Sequence, residues 1–248
     1  MSFSYVRSTK NPIILISTCA LASIALSPNY AVADGSSIDK IYHPYVQALE
    51  QEIEYRSRYQ KDSNDNLDGQ QRHLLGFGRS FSDRVFGEIY LEGSNDSGES
   101  FSIDVIEVEA KIQLTEQGEY DSDWGILFEL EREKSDNNWE ASSTLIALHE
   151  WTDWIVTTNF GLIYEWGSRI DNEWETSFST QFRYRYKQTL EPSIEIYFSE
   201  DSKGIGPVLS GTFRLGGRRK LMWESGLILG VNSNTPDESW KFNIEYEF

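Results

Sequence analysis

Residues 239–248 alternate without a break: Trp240, Phe242, Ile244, Tyr246 and Phe248 fall on one side, and Lys241, Asn243, Glu245 and Glu247 on the other. Successive side chains of an extended chain point to opposite faces, so this stretch reads as a strand with one apolar and one wet face. In water the apolar face would be an exposed edge liable to aggregate. A fold containing this strand must give that face an apolar environment.

The same period recurs along the chain. About twelve segments alternate, near 49–60, 71–82, 85–92, 101–114, 124–133, 139–150, 153–167, 173–187, 193–199, 206–215, 221–231 and 239–248, with ten the count if a weak pair is misread. The clearest rows are Trp124/Ile126/Phe128/Leu130, Trp154/Val156/Thr158/Phe160/Leu162/Tyr164/Trp166 and Trp174/Thr176/Phe178/Thr180/Phe182/Tyr184/Tyr186. Their middles are aliphatic, Thr or Phe, while Trp and Tyr gather at the ends. A soluble β-sandwich shares the composition but has no reason to concentrate its aromatics at strand ends, which favours a membrane barrel with interfacial girdles. Two segments are irregular. The run from Phe101 to Leu114 changes phase near Val105 and Ile106, the signature of a bulge, and Arg79 interrupts the apolar set between His73 and Phe81.

The first 33 residues read separately. Arg7 and Lys10 precede an apolar stretch over 12–26, and Ala31, Val32 and Ala33 form a small-residue site that would release a chain starting at Asp34. The stretch is short of the ~20 residues of a helical span. Cys19 lies within it, preceded by Thr18 rather than a small apolar residue, so a lipoprotein site is poorly matched and the mature chain has no thiol chemistry. Removing these residues leaves 20 basic against 40 acidic side chains, a net charge of −20, which argues against nucleic acid as a partner. Aromatics make up 14 % of the chain although its mean hydropathy is −0.50, a combination expected where lipid-facing and lumen-facing residues alternate.

An export signal, evenly numbered alternating strands and a terminal aromatic strand together resemble the single-chain outer-membrane β-barrels of Gram-negative bacteria, porin-like proteins among them. The resemblance implies an all-β, transmembrane, antiparallel up-and-down barrel of about 12 strands over 49–248. It implies a last strand, carrying Trp240, Phe242, Ile244, Tyr246 and Phe248, that is read by the barrel-assembly machinery. Outer-membrane lipid and lipopolysaccharide would surround it, and residues 34–48 would be a periplasmic lead-in or a short plug, with the tether the plainer alternative. Connections such as 61–70 and 93–100 would be outer loops, and short ones such as 82–84 periplasmic turns, with 115–123 longer than that rule expects.

With the apolar set on lipid, the opposite set lines an interior crowded with charge. Candidates for solute contact are Arg56, Arg58, Glu107, Glu109, Glu129, Glu195 and the strip Arg183, Arg185 and Lys187. Charges in a closed wall need water or one another, so the lumen is either a narrow aqueous pore or a salt-bridged interior. Small barrels of the porin class admit small hydrophilic solutes, which implies a passive channel; the alternatives are a closed structural or surface-interaction barrel and, third, an outer-membrane hydrolase. For the last, no His shares a strand and face with a Ser two residues away, and no catalytic set is assigned. The absence of clustered Cys and His argues against a transition-metal site, and no cofactor is expected. The acidic loops at 62–66 and 94–99 carry oxygen ligands without the ordered spacing of a calcium loop.

Overall fold

A computed structural model describes residues 38–63, 68–95, 101–134, 137–168, 170–200 and 202–248. The expected export signal, residues 34–37 and the greater part of the two acidic loops lie outside the described residues.

Twelve strands follow one another: β1 (Gln51–Lys61), β2 (Gln71–Ser80), β3 (Val85–Asn95), β4 (Ser102–Gln113), β5 (Asp123–Glu133), β6 (Trp139–Trp151), β7 (Trp154–Trp166), β8 (Glu173–Tyr184), β9 (Glu191–Ser199), β10 (Lys203–Gly216), β11 (Arg219–Gly230) and β12 (Glu238–Glu247). Each pairs antiparallel with its neighbours in sequence, and β12 closes on β1 through Ile53↔Tyr246, Tyr55↔Ile244 and Tyr59↔Trp240. Closure leaves no open edge. The amide of Phe248 adds one more bond beyond the ladder, to the Gln51 carbonyl at 2.9 Å.

The alternation read from the sequence sets which face is which. Exposed large apolar residues include Leu75, Phe77, Ile89, Leu91, Phe128, Leu130, Phe160, Phe178, Ile194, Leu209 and Phe242, all on the outer face. An apolar exterior of this extent around a charged interior fits hydrocarbon rather than water. Aromatics ring its two ends: Trp139 stacks on Trp166 at 6.2 Å and Tyr164 packs on Trp174 at 4.7 Å at one end of β6–β8, and Trp154 meets Tyr184 at 5.0 Å at the other. Arg79 lies on the outer face at the end of β2, its guanidinium 5.6 Å from the Phe81 ring, where a long side chain can reach water. The phase change in β4 is a bulge: Glu92 pairs with Val105 and Gly93 with Ile103, leaving Asp104 as the additional residue.

The turn joining β10 to β11 takes Gly216 and Gly217 through φ of +97° and +62°, the left-handed region a tight hairpin needs. The longer connection between β4 and β5 is held from within: Asp123 accepts the Gly118 amide at 2.9 Å and Thr115 Oγ1 accepts the Trp124 amide at 2.8 Å. Strand eight is shorter than its alternation predicts. It stops at Tyr184, because the Tyr186 amide turns back onto the Tyr184 carbonyl at 2.9 Å and Lys187 bridges to Leu190 across a tight turn.

Candidate functional site

Inside the wall lies a stretch of chain with no regular structure, residues 38–46. Ile38, Ile41, Tyr42 and Val46 are each less than a tenth exposed. Ile38 and Ile41 pack with Tyr197, Val208 and Ile228, and Tyr42 with Leu127 and Ile146. All five of these wall residues are inward-pointing positions in rows that are otherwise mostly polar or glycine, with Leu148 a further apolar position beside Ile146. Burying an Ile or Val fully contributes about 1.5–3 kcal/mol, so the apolar contacts alone hold the segment firmly. Gly125 lets it approach closely: a side chain there would meet the Pro44 backbone.

The segment's backbone and side chains are also hydrogen-bonded to the wall. Asn159 clasps Tyr42, accepting its amide at 2.7 Å and donating to its carbonyl at 2.9 Å. Gln113 accepts the Val46 amide at 2.8 Å, and the Tyr45 hydroxyl donates to Asp123 at 2.7 Å. At the other end, Arg58 donates to the Ile38 carbonyl at 2.7 Å, while Tyr197 and Lys241 donate to the Asp39 carbonyl at 2.7 and 2.9 Å. Lys40 reaches Glu54 at 2.9 Å and Glu245 at 3.5 Å.

Arg56 is the hub of this packing. Its guanidinium meets Glu54 at 3.0 Å, Asp39 at 3.1 Å and Glu109 at 3.6 Å, and donates to the hydroxyls of Tyr90 and Tyr42 at 2.7 and 3.1 Å. It lies over the Tyr90 ring at 4.6 Å, a geometry that adds cation–π attraction in a dry site. A second hub is Lys241, which meets Glu224 at 2.8 Å and Glu195 at 2.9 Å.

The candidate residues separate into three groups in space. Arg56 and Glu195 belong to the two hubs that hold the inner segment, and Arg58 holds its start through the Ile38 carbonyl. Arg183, Arg185 and Lys187 do not form a ladder: Arg183 pairs with Glu191 at 3.3 Å, Arg185 forms an ion pair with Glu150 beyond the end of β8, and exposed Lys187 lies 5.0 Å over the Tyr186 ring. Glu107, Glu109 and Glu129 do converge, with one oxygen from each within 4.8 Å of the others.

Those three begin a file of carboxylates that single-strand reading could not assemble. Register places Glu107 beside Glu131, Glu131 beside Glu140, Glu140 beside Glu165, and Glu165 beside Glu173, all inward and on consecutive strands β4–β8. Glu109 and Glu107 are buried, Glu129, Glu131, Glu140 and Glu165 are half-buried, and Glu173 at the start of β8 is exposed. The file thus leads from the interior to the strand ends that carry the connections 134–138 and 167–172. Like charges directly opposite one another destabilise a sheet, and Glu131 and Glu165 each make a further polar or electrostatic contact that bears on this repulsion.

Outside the lumen, Glu50 lies where the inner segment joins β1; burial, with Glu247 nearby, pushes its carboxyl up to about 7. The three histidines are spread out. His43 lies 3.3 Å from Thr157 Oγ1, and His149 on the outer face lies 3.3 Å from Ser122 Oγ and packs on Trp151. His73 is opposite Ser57 across β1 and β2, a neighbour invisible within one strand, but its Nδ1 is 2.8 Å from the Tyr55 hydroxyl instead.

No protein-family model matches the chain, and no curated protein matches it. Among solved structures it is similar to the COG4313 outer membrane channel from Pseudomonas putida F1, at 14 % identity and a TM-score of 0.57 over 86 % of this chain and 99 % of that one. It is similar to the KdgM porin in complex with disordered oligogalacturonate, at 14 % identity and a TM-score of 0.52 over 79 % and 98 % of the two chains. The β domain of the Bordetella autotransporter BrkA follows at 12 % identity and a TM-score of 0.50 over 81 % and 99 %. Likeness at these identities is one of fold: the chain is a closed twelve-stranded antiparallel up-and-down barrel of the kind found in outer-membrane channels.

Proposed function

We propose that the protein is an exported outer-membrane channel that passively admits small hydrophilic solutes, with a preference for cations. The observation that carries this reading is the file of inward carboxylates from Glu107 to Glu173 in a closed barrel whose outer face is apolar. Rings of carboxylates in a narrow water-filled path favour cations by focusing their field. The inner segment narrows the bore against β1, β4–β7 and β9–β12, and from the buried Glu107 outward the path for solute follows the carboxylates of β4–β8 toward the strand ends. The names of the COG4313 channel and the KdgM porin support transport by a barrel of this fold, and KdgM's oligogalacturonate is not carried over, because the path here repels acidic sugars. No residue is assigned a catalytic role.

Reversal potentials of the refolded mature protein in planar bilayers test the reading. The wild type should favour cations, and Glu131→Gln with Glu140→Gln should reduce that preference severalfold. Neutralising Arg183 and Arg185, already paired with carboxylates, should increase it. Correct insertion with no conductance and no solute uptake in liposome swelling would overturn the channel. A closed barrel is the second reading, supported by the burial of the inner segment and the ion pairs around Arg56 and Lys241.

A further inference from the structure

Three groups of carboxylates come close enough to share an ion: Glu50, Glu52 and Glu245; Glu52, Glu54 and Glu88; and Glu107, Glu109 and Glu129. The first two are answered by the protein itself, through Lys40 on Glu54 and Glu245, Arg56 on Glu54, and the Tyr90 hydroxyl, which donates to Glu88 at 2.6 Å. The third is not. Among the described residues no cation lies within ion-pair distance of Glu107 or Glu129, and Glu109 has only Arg56 at 3.6 Å, a guanidinium closer to Glu54 and Asp39. Independently of the clustering, Glu109 Oε2 is buried without any hydrogen-bond partner, on a side chain 2 % exposed. A buried carboxylate oxygen left unpaired is costly, and here it belongs to the middle member of the group.

We propose that Glu107, Glu109 and Glu129 hold a divalent cation, with Ca²⁺ the best fit. Two Ca²⁺–oxygen bonds of about 2.3–2.6 Å placed opposite one another span about 5 Å, and the three carboxylate oxygens lie within 4.8 Å of one another. Every donor is oxygen, which suits a hard ion and not a thiophilic one. Neutral oxygens stand beside the acids: Ser142 Oγ donates to Glu129, and the Tyr42 hydroxyl donates to Glu109 at 2.6 Å. Glu129 is half-buried, and through its exposed part solvent would supply the waters that complete a Ca²⁺ shell, with the carboxylates of Glu131 and Glu140 on the way in. Mg²⁺ demands a stricter octahedron at shorter distances than carboxylates on a fixed wall supply. Because Tyr42 belongs to the inner segment, the ion would tie that segment to the wall through Glu109.

The test uses the refolded mature chain in detergent, stripped with a chelator. Tb³⁺, a Ca²⁺ probe whose emission is sensitised by a nearby tyrosine, should bind the wild type and be displaced by Ca²⁺. Its Ca²⁺-competable emission should fall at least tenfold in the double variant Glu107→Gln, Glu129→Gln. Added Ca²⁺ should also raise the thermal unfolding midpoint of the wild type and leave that of the variant unchanged. Should the double variant fail to refold, Glu107→Gln alone gives the same comparison with two carboxylates kept. A wild type whose midpoint ignores Ca²⁺, or Tb³⁺ emission equal in wild type and variant, overturns the site. The site and the channel fail separately: a barrel that conducts without binding Ca²⁺ loses only the site, and one that binds without conducting loses only the channel.

Discussion

Arg56 and Arg185 look equivalent in the sequence, each an inward cation among acids, yet their surroundings give them different weights. Arg56 is buried against Glu54, Asp39 and two tyrosines, whereas the Arg185–Glu150 pair is more than a quarter exposed on both sides. Removing one partner of a buried network leaves a charge uncompensated and costs about 3–5 kcal/mol; a partly exposed pair contributes about 1 kcal/mol or less. Arg56→Ala should therefore lower refolding stability in lipid vesicles by several kcal/mol while Arg185→Ala changes it little, as measured by denaturant titration. Glu50 gives a pH-dependent counterpart. Its native carboxyl is raised from 4.5 to about 7, so protonation favours the folded state; that stabilisation is complete below 4.5 and lost as pH rises through 7. Glu50→Gln should flatten the change in unfolding midpoint between pH 5 and pH 8, and an unaltered slope would show that other groups set it. Parity in the sequence identified Arg56, Glu109 and Glu129 as inward. It could not identify their partners, because Asp39 and Tyr42 lie in an irregular segment without a period, and Tyr42 is 67 residues from Glu109 in the chain.

At the level of single strands the sequence was highly legible, since a period of two with one apolar face is a strong local signal. The ends of β4–β7 and β12 fall within one residue of their alternation limits, and the bulge at Asp104 lies one residue before the visible phase change. Strand parity makes a direct test. Phe178 faces outward near the middle of β8 and Ser177 faces inward beside Gly161, so Phe178→Arg should cost roughly 2–4 kcal/mol at mid-membrane. Ser177→Arg, directed toward the carboxylate side of the lumen, should cost less than 1 kcal/mol, being a polar substitution on a wet face. Equal losses in vesicle refolding would mean that the outer face does not meet lipid. Less legible was residues 38–46, which have no period at all. The signal for their position was present elsewhere: Leu127, Ile146, Leu148, Val208 and Ile228 occupy the polar parity of their strands and are nevertheless apolar. A wall apolar on both faces needs something to cover its inner side, and Ile38, Ile41 and Tyr42 do so.

For the molecule as a whole, the question is what the inner segment does to the bore. Barrels of about eight strands are filled by their own side chains, and those of sixteen or more keep an open channel; twelve strands lie between, so one extended segment inside can decide the matter. Residues 38–46 touch β1, β4–β7 and β9–β12, and their removal would empty the part of the lumen they fill. The charges they cover, Arg56 and Lys241 among them, would then meet water instead of a vacant dry cavity, so the barrel should still close through β1 and β12, with lower stability. Deleting 38–46 while keeping residues 1–37 unchanged should raise single-channel conductance severalfold. It should also weaken cation preference, because part of the current would pass the basic row formed by Arg72, Arg58 and Lys241, which are direct neighbours across β2, β1 and β12. A small wild-type conductance unchanged by the deletion would mean that the limiting constriction lies elsewhere in the wall. No current before the deletion and a large one after it would make the segment a stopper, and the intact protein a closed barrel whose opening requires its withdrawal.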